Sequence, residues 1–164
     1  MSPASGKTTS VAIQIEPGWK NILECAAIEV FELMASVKLE PMDSSTGQPH
    51  GDTTAIVGMA GALCGMTAIR CSGESATKLA SQMLGSEASS NSSTIGDALG
   101  ELCNMVAGNF KSKFSTLAEH CMLSVPTVIR GEDYSMQPID PFETVVVALD
   151  YEGSPIWITL IVHT

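Results

Sequence analysis

Glu101 and Asn104 are the residues of this sequence best placed to act on another molecule. An ionised carboxylate only accepts hydrogen bonds, whereas a carboxamide both donates and accepts. Three positions apart on a helix, such side chains are neighbours on one face. The apolar residues around them say which face. At about 100° per residue, Ile95, Leu99, Leu102, Val106, Phe110 and Leu117 share one narrow stripe, which must turn toward a core. Asp97, Glu101, Asn104, Gly108 and Lys111 then make the opposite stripe, at steps of four, three, four and three residues, and point to solvent. Gly100, Ala107 and Gly108 flank the pair with almost no side chain. Glycine weakens a helix, so its use here is expected where another backbone must approach closely.

Other candidates for chemistry read more plainly. Ser5-Gly-Lys-Thr8 imitates the end of a phosphate-binding Walker loop, but the first glycine and the preceding strand are missing. His50, His120 and His163 lack metal-ligand spacing. Cys25, Cys64, Cys71, Cys103 and Cys121 show no CxxC pair, and their odd number excludes a complete intrachain disulfide framework. They read as reduced and mostly buried. Gly58, Gly61 and Gly65 fit a turn or close backbone packing between strands better than a phosphate loop. The nine methionines are expected to fill gaps in the core.

The elements that must position Glu101 and Asn104 follow from periodicity and turn chemistry. Ile22, Leu23, Ala26, Val30, Leu33 and Val37 recur at helical spacing, so residues from about Trp19 to Ser36 are predicted to form a core-packed helix. Asp43 to Asp52 is a loop by composition. Thr53 to Met59 and Leu63 to Cys71 read as a buried hairpin, and Ser75 to Leu84 as a short helix stopped by Gly85. Thr94-Ile-Gly-Asp97 fits a capping box, from which the longest helix can run to about Ala118. Met122 to Ile129 with Pro126, Phe142 to Asp150, and Ile156 to His163 read as three further strands. Residues 1–10 are expected to be a disordered leader, Val11 to Ile15 a short strand, and 11–164 one α+β domain with a largely antiparallel sheet.

Asp97-x3-Glu101-x2-Asn104, continued as Met-Val-Ala-Gly108-Asn and followed by Pro126, resembles the signature of the CheX/CheC/FliY phosphatases. The segment Ile22 to Pro41 is similar to the opening helix of CheX proteins. The resemblance implies a CheC-like fold, with long helices packed on the sheet. It also implies a chemotaxis-type activity, hydrolysis of the phospho-aspartate of a CheY-like response regulator in two-component signalling. Asn104 would hold the attacking water in line with phosphorus, and Glu101 would pair with the regulator's lysine. Asp97, Gly108 and Lys111 would belong to the docking face. Mg2+ would sit in the partner, with no cofactor of this chain's own. CheC-like relatives carry a second ExxN on the opening helix. Here the matching segment is Glu24-Cys-Ala-Ala27, without an amide, so a single site is expected. By the same analogy the chain is expected to form a homodimer through sheet edges. The rival reading is a module that docks on a receiver or on flagellar switch components without catalysis.

Bulk composition agrees with these expectations. The chain has 164 residues, 45% hydrophobic, enough for one core. Its net charge of -10, with the few basic residues scattered, argues against a nucleic-acid partner and favours partners with basic rims. No stretch is long and apolar enough to span a bilayer, and Met1 to Ser10 carries no apolar signal segment, from which a cytoplasmic location is expected.

Overall fold

A computed structural model of the chain describes residues 14–85, 91–138 and 141–164. The leader expected over 1–10, and Val11 to Ile13 of the strand expected after it, lie outside the described residues. Gln14 and Ile15 are described and are not in a strand.

The elements run α1 (Trp19–Ala35), β1 (Glu40–Met42), β2 (Thr53–Gly61), β3 (Gly65–Cys71), α2 (Gly73–Leu84), α3 (Ser92–Ser112), α4 (Ser115–Ala118), β4 (Cys121–Leu123), β5 (Thr127–Arg130), β6 (Phe142–Tyr151) and β7 (Ser154–His163). The sheet follows the order β1-β6-β7-β3-β2-β4, with β5 paired to β2 beyond β4, and every pairing is antiparallel. Alternation along β6 and β7 places Val145, Val147, Leu149, Ile156, Ile158, Leu160 and Val162 on one buried face. The helices close that face. α3 packs against α1, α2 and β2, which makes it the central helix of the layer.

The predicted α+β architecture and both long helices are present. Two differences bear on function. β1, a short edge strand on β6, lies just before the stretch read as a loop. The single strand expected from Met122 to Ile129 is instead two, because the chain leaves the ladder at Ser124-Val125-Pro126. Pro126 has no N–H to give to β2. Ser124 takes over, donating its N–H to the Gly58 carbonyl at 2.9 Å while its hydroxyl accepts from the Gly58 N–H at 2.8 Å. The strap 124–126 is thereby held against the sheet edge and pushed outward, leaving Val125 84% exposed.

The glycines of the β2–β3 hairpin serve close backbone approach. Gly61 has φ +110, and a Cβ there would lie 2.2 Å from the His120 carbonyl oxygen. Gly153 shares the left-handed backbone, with φ +82, but faces open space. Gly153→Ala is therefore expected to cost about 1 kcal/mol from backbone strain. Gly61→Ala is expected to cost at least ~2 kcal/mol, since strain and a backbone clash add. Chemical denaturation of both variants checks this, and equal losses would mean that the His120 carbonyl is not what requires glycine.

Candidate functional site

The helix that carries the candidate pair begins earlier than its sequence suggests. Asn91 is the N-cap of α3, and its side-chain oxygen accepts from the Ser93 N–H at 3.1 Å. The proposed capping box at Thr94-Ile-Gly-Asp97 is therefore corrected: these residues already lie inside the helix. Asp97 is free of any capping duty and stands exposed on the outer stripe. The far end is also corrected. α3 stops at Ser112, and the chain turns before α4, so Leu117 reaches the core from α4. At the turn Phe114 packs on Trp19 and Phe110, with ring centroids 5.2 Å away in each case.

The two stripes of α3 are as expected. Ile95, Leu99, Leu102, Val106 and Phe110 are buried, while Asp97 and Glu101 are exposed and Asn104, Gly108 and Lys111 are half-buried. Among the described residues, neither the Glu101 carboxylate nor the Asn104 carboxamide is engaged by a hydrogen bond or ion pair. The neighbouring amide is different. Asn109 donates to the Ala26 carbonyl at 3.2 Å and to Glu29 at 2.8 Å, and Lys113 reaches the same carboxylate at 2.9 Å. The hydrogen bonds from Asn109 and then Lys113 hold the Glu29 carboxyl below its usual range. This clamp joins α3 to α1 and sets the level at which Asn104 emerges.

Lys111, expected on the docking face, spends its ammonium inside the molecule. It donates to the Cys121 carbonyl at 2.6 Å and the Ala118 carbonyl at 3.2 Å, tying α3 to the start of β4. Cys103 adjoins Asn104 in sequence but points into the core, donating to the Thr67 carbonyl at 3.4 Å. Burial pushes its thiol up to about 12, so no thiolate nucleophile stands beside the pair. Among the described residues, no group of three or more His, Cys, Asp or Glu could hold a metal.

The small residues around the pair divide into two kinds. A Cβ on Gly100 would lie 3.2 Å from Pro126 Cβ, and Ala107 is fully buried, so the close approach at both is made by this chain itself. Gly108 differs, since a Cβ there would meet only Leu123 Cδ1, at 3.9 Å. Gly108 and Asn104 share a shallow groove of about 460 Å³ with Glu29, Leu33 and Leu123. The helical spacing of the opening helix predicts Leu33 as a core residue. It is instead 75% exposed at the rim of this groove. Helical spacing puts it at the edge of the α1 stripe, and Gly108, which lines the same groove, has no side chain to cover it. On the same helix Ala27 is fully buried and Glu24 half-buried.

Helices layered on one face of an antiparallel sheet give this chain a CheC-like fold. The chain matches the family described as chemotaxis phosphatase CheX over residues 53–150, and it belongs to that family. The CheY-P phosphatase CheX of Thermotoga maritima is 32% identical over 90 residues, which are 54% of this chain and 57% of that protein. The match thus spans little more than half the length of that relative. The fold is shared with CheX in a CheX-CheY-BeF3-Mg2+ complex from Borrelia burgdorferi, with a TM-score of 0.78, 23% identity, and 92% of this chain and 100% of that chain covered. A CheC-like superfamily protein from a Shewanella species gives a TM-score of 0.76 at 21% identity over the same shares. No described helix is long and apolar enough to cross a membrane.

The two glycines of α3 should respond oppositely to alanine. Gly108→Ala should stabilise by up to about 1 kcal/mol, because alanine has less backbone entropy to lose and meets only an ordinary contact. Gly100→Ala should fail to gain that amount, and should destabilise unless Pro126 can shift, since its Cβ would crowd the ring. Thermal melting of the pair checks the contrast. A gain of similar size at both would remove Pro126 from the packing that holds the strap.

Proposed function

We propose that this protein accelerates hydrolysis of the phospho-aspartate of a CheY-like response regulator, acting through Asn104 and Glu101. The carrying observation is the unengaged carboxamide of Asn104, half-buried in a groove on a helix face, beside an exposed carboxylate one turn back. Family membership and the curated Thermotoga maritima relative support the same reading.

In this mechanism the helix face inserts Asn104 toward the regulator's phosphoryl group. The Asn104 carbonyl accepts a hydrogen bond from water and aims its oxygen at phosphorus. As the new P–O bond forms, the bond to the aspartyl oxygen breaks, its electron pair leaves on the aspartate, and inorganic phosphate is released. Orientation supplies the rate, because phosphoryl transfer needs placement and charge neutralisation more than covalent help. The neutralising Mg2+ belongs to the regulator. Glu101 pairs with the regulator's lysine and sets the register of docking. Asp97 extends the negative stripe, Gly108 leaves clearance, and Lys111 contributes by holding β4 in place. By the same family analogy the protein acts in chemotaxis in the cytoplasm and pairs with a second copy through a sheet edge.

The test is to phosphorylate regulators of the host with a small phosphodonor and follow phosphate release with and without the protein. Acceleration is expected for at least one, whereas binding without acceleration would leave a receiver-binding module. Asn104→Ala should lower turnover on the order of 10²-fold while docking stays measurable, because alanine keeps the helix but cannot orient water. Weakened binding with unchanged turnover per complex would contradict the role. Glu101→Gln keeps shape and removes charge, so it should weaken docking most at low salt, where the lost attraction is least screened. Affinity and salt dependence equal to wild type would exclude the lysine pairing.

A further inference from the structure

The groove beside Asn104 has an apolar rim that water orientation does not require. Leu33 rises on the α1 side, 75% exposed, and lines the groove with Asn104, Gly108 and Leu123. On the other side the strap between β4 and β5 lifts Val125 into solvent at 84% exposure. Its place is set by its neighbours, since Leu123 lies against Gly108 and Pro126 against Gly100. Val125 therefore stands beside the stretch of α3 between those glycines, which carries Glu101 and Asn104.

Single exposed aliphatic residues are ordinary on protein surfaces, but here one borders the groove that holds an unengaged carboxamide and a second stands on the strap alongside the same helix. An exposed carboxylate pairs only weakly with a cation, and less so in salt, while one carboxamide cannot hold a protein partner. Affinity at such a face has to come from apolar area, and covering that area also excludes water around the amide and strengthens its hydrogen bonds. We infer that Leu33 and Val125 are the apolar anchors that hold the receiver domain of the phosphorylated regulator over Asn104. This rests on the function proposed above. The occupant follows from geometry, because any molecule that receives Asn104 must cover the groove that Leu33 borders. A small ligand in that groove would leave Val125 bare. The net charge of -10 favours a receiver surface with basic residues around its own apolar contact.

The test uses the full chain and regulators of the host saturated with beryllofluoride and Mg2+ as a stable stand-in for the phosphorylated form. Affinity is measured separately from phosphate release. Leu33→Asp and Val125→Asp are each expected to raise Kd at least tenfold, with any fall in kcat smaller than the rise in KM. Leu33→Met and Val125→Ile should restore affinity to within about threefold. Leu84→Asp, at the exposed end of α2, is the control for a lost surface aliphatic and should bind within twofold of wild type. Melting temperatures confirm that the variants fold. If wild type binds without releasing phosphate and the Asp variants lose binding, the anchors stand and catalysis falls. If wild type releases phosphate and both Asp variants match its Kd, the anchors are overturned and catalysis stands. Loss of a homodimer with unchanged regulator affinity would assign the patch to a second copy and overturn the inference. Absence of binding and release with every regulator would overturn both.

Discussion

The rotation of α3 about its own axis is the constraint on which the site depends. Leu102, Val106 and Phe110 have no exposed surface, and Leu99 is 1% exposed. Burying such side chains contributes on the order of 2 kcal/mol each. A turn of the helix by one residue would bring several of them into water while carrying Asn104 toward the core. No interaction of the outer stripe is strong enough to compete. The core therefore sets Asn104 on the outer face of the helix, and Glu101 and Asn104 themselves need make no contact within the fold.

Rotation alone leaves the helix free to slide, and the contacts at its ends oppose that. The Asn109–Glu29–Lys113 clamp joins α3 to α1, and Lys111 ties it to the start of β4. The hydrogen bonds between Ser124 and Gly58 fix the strap on the sheet edge, and Pro126 then fits against Gly100. One glycine of the helix thus lets the chain's own strap come close. The other, Gly108, leaves the groove beside Asn104 open. Composition treats the two alike, and only their neighbours distinguish them.

Fold and site were unequally legible. The two stripes of α3, the β2–β3 hairpin and the antiparallel pattern could be read because each is a local periodicity. The helix start was misplaced because Thr94 to Asp97 and Asn91 both carry capping chemistry, and the earlier cap prevails. The break at Pro126 is not legible locally, because Ser124 replaces a ladder bond through Gly58, a residue distant in sequence.

The sequence by itself determined that Glu101 and Asn104 share the outer face of one helix, opposite its apolar stripe, and that Ala27, not an amide, stands three residues after Glu24 on the opening helix. Those are properties of residue type and of the angle between successive side chains, which hold wherever the helix is placed. Only the tertiary structure decided that Leu33 is exposed and not core, that Val125 stands beside the site, and that Asn109 is spent on a clamp while Asn104 is left free. Each depends on which distant segment lies alongside. The helical period says where a side chain points, and the packing of α1 and the strap against α3 says what it meets there.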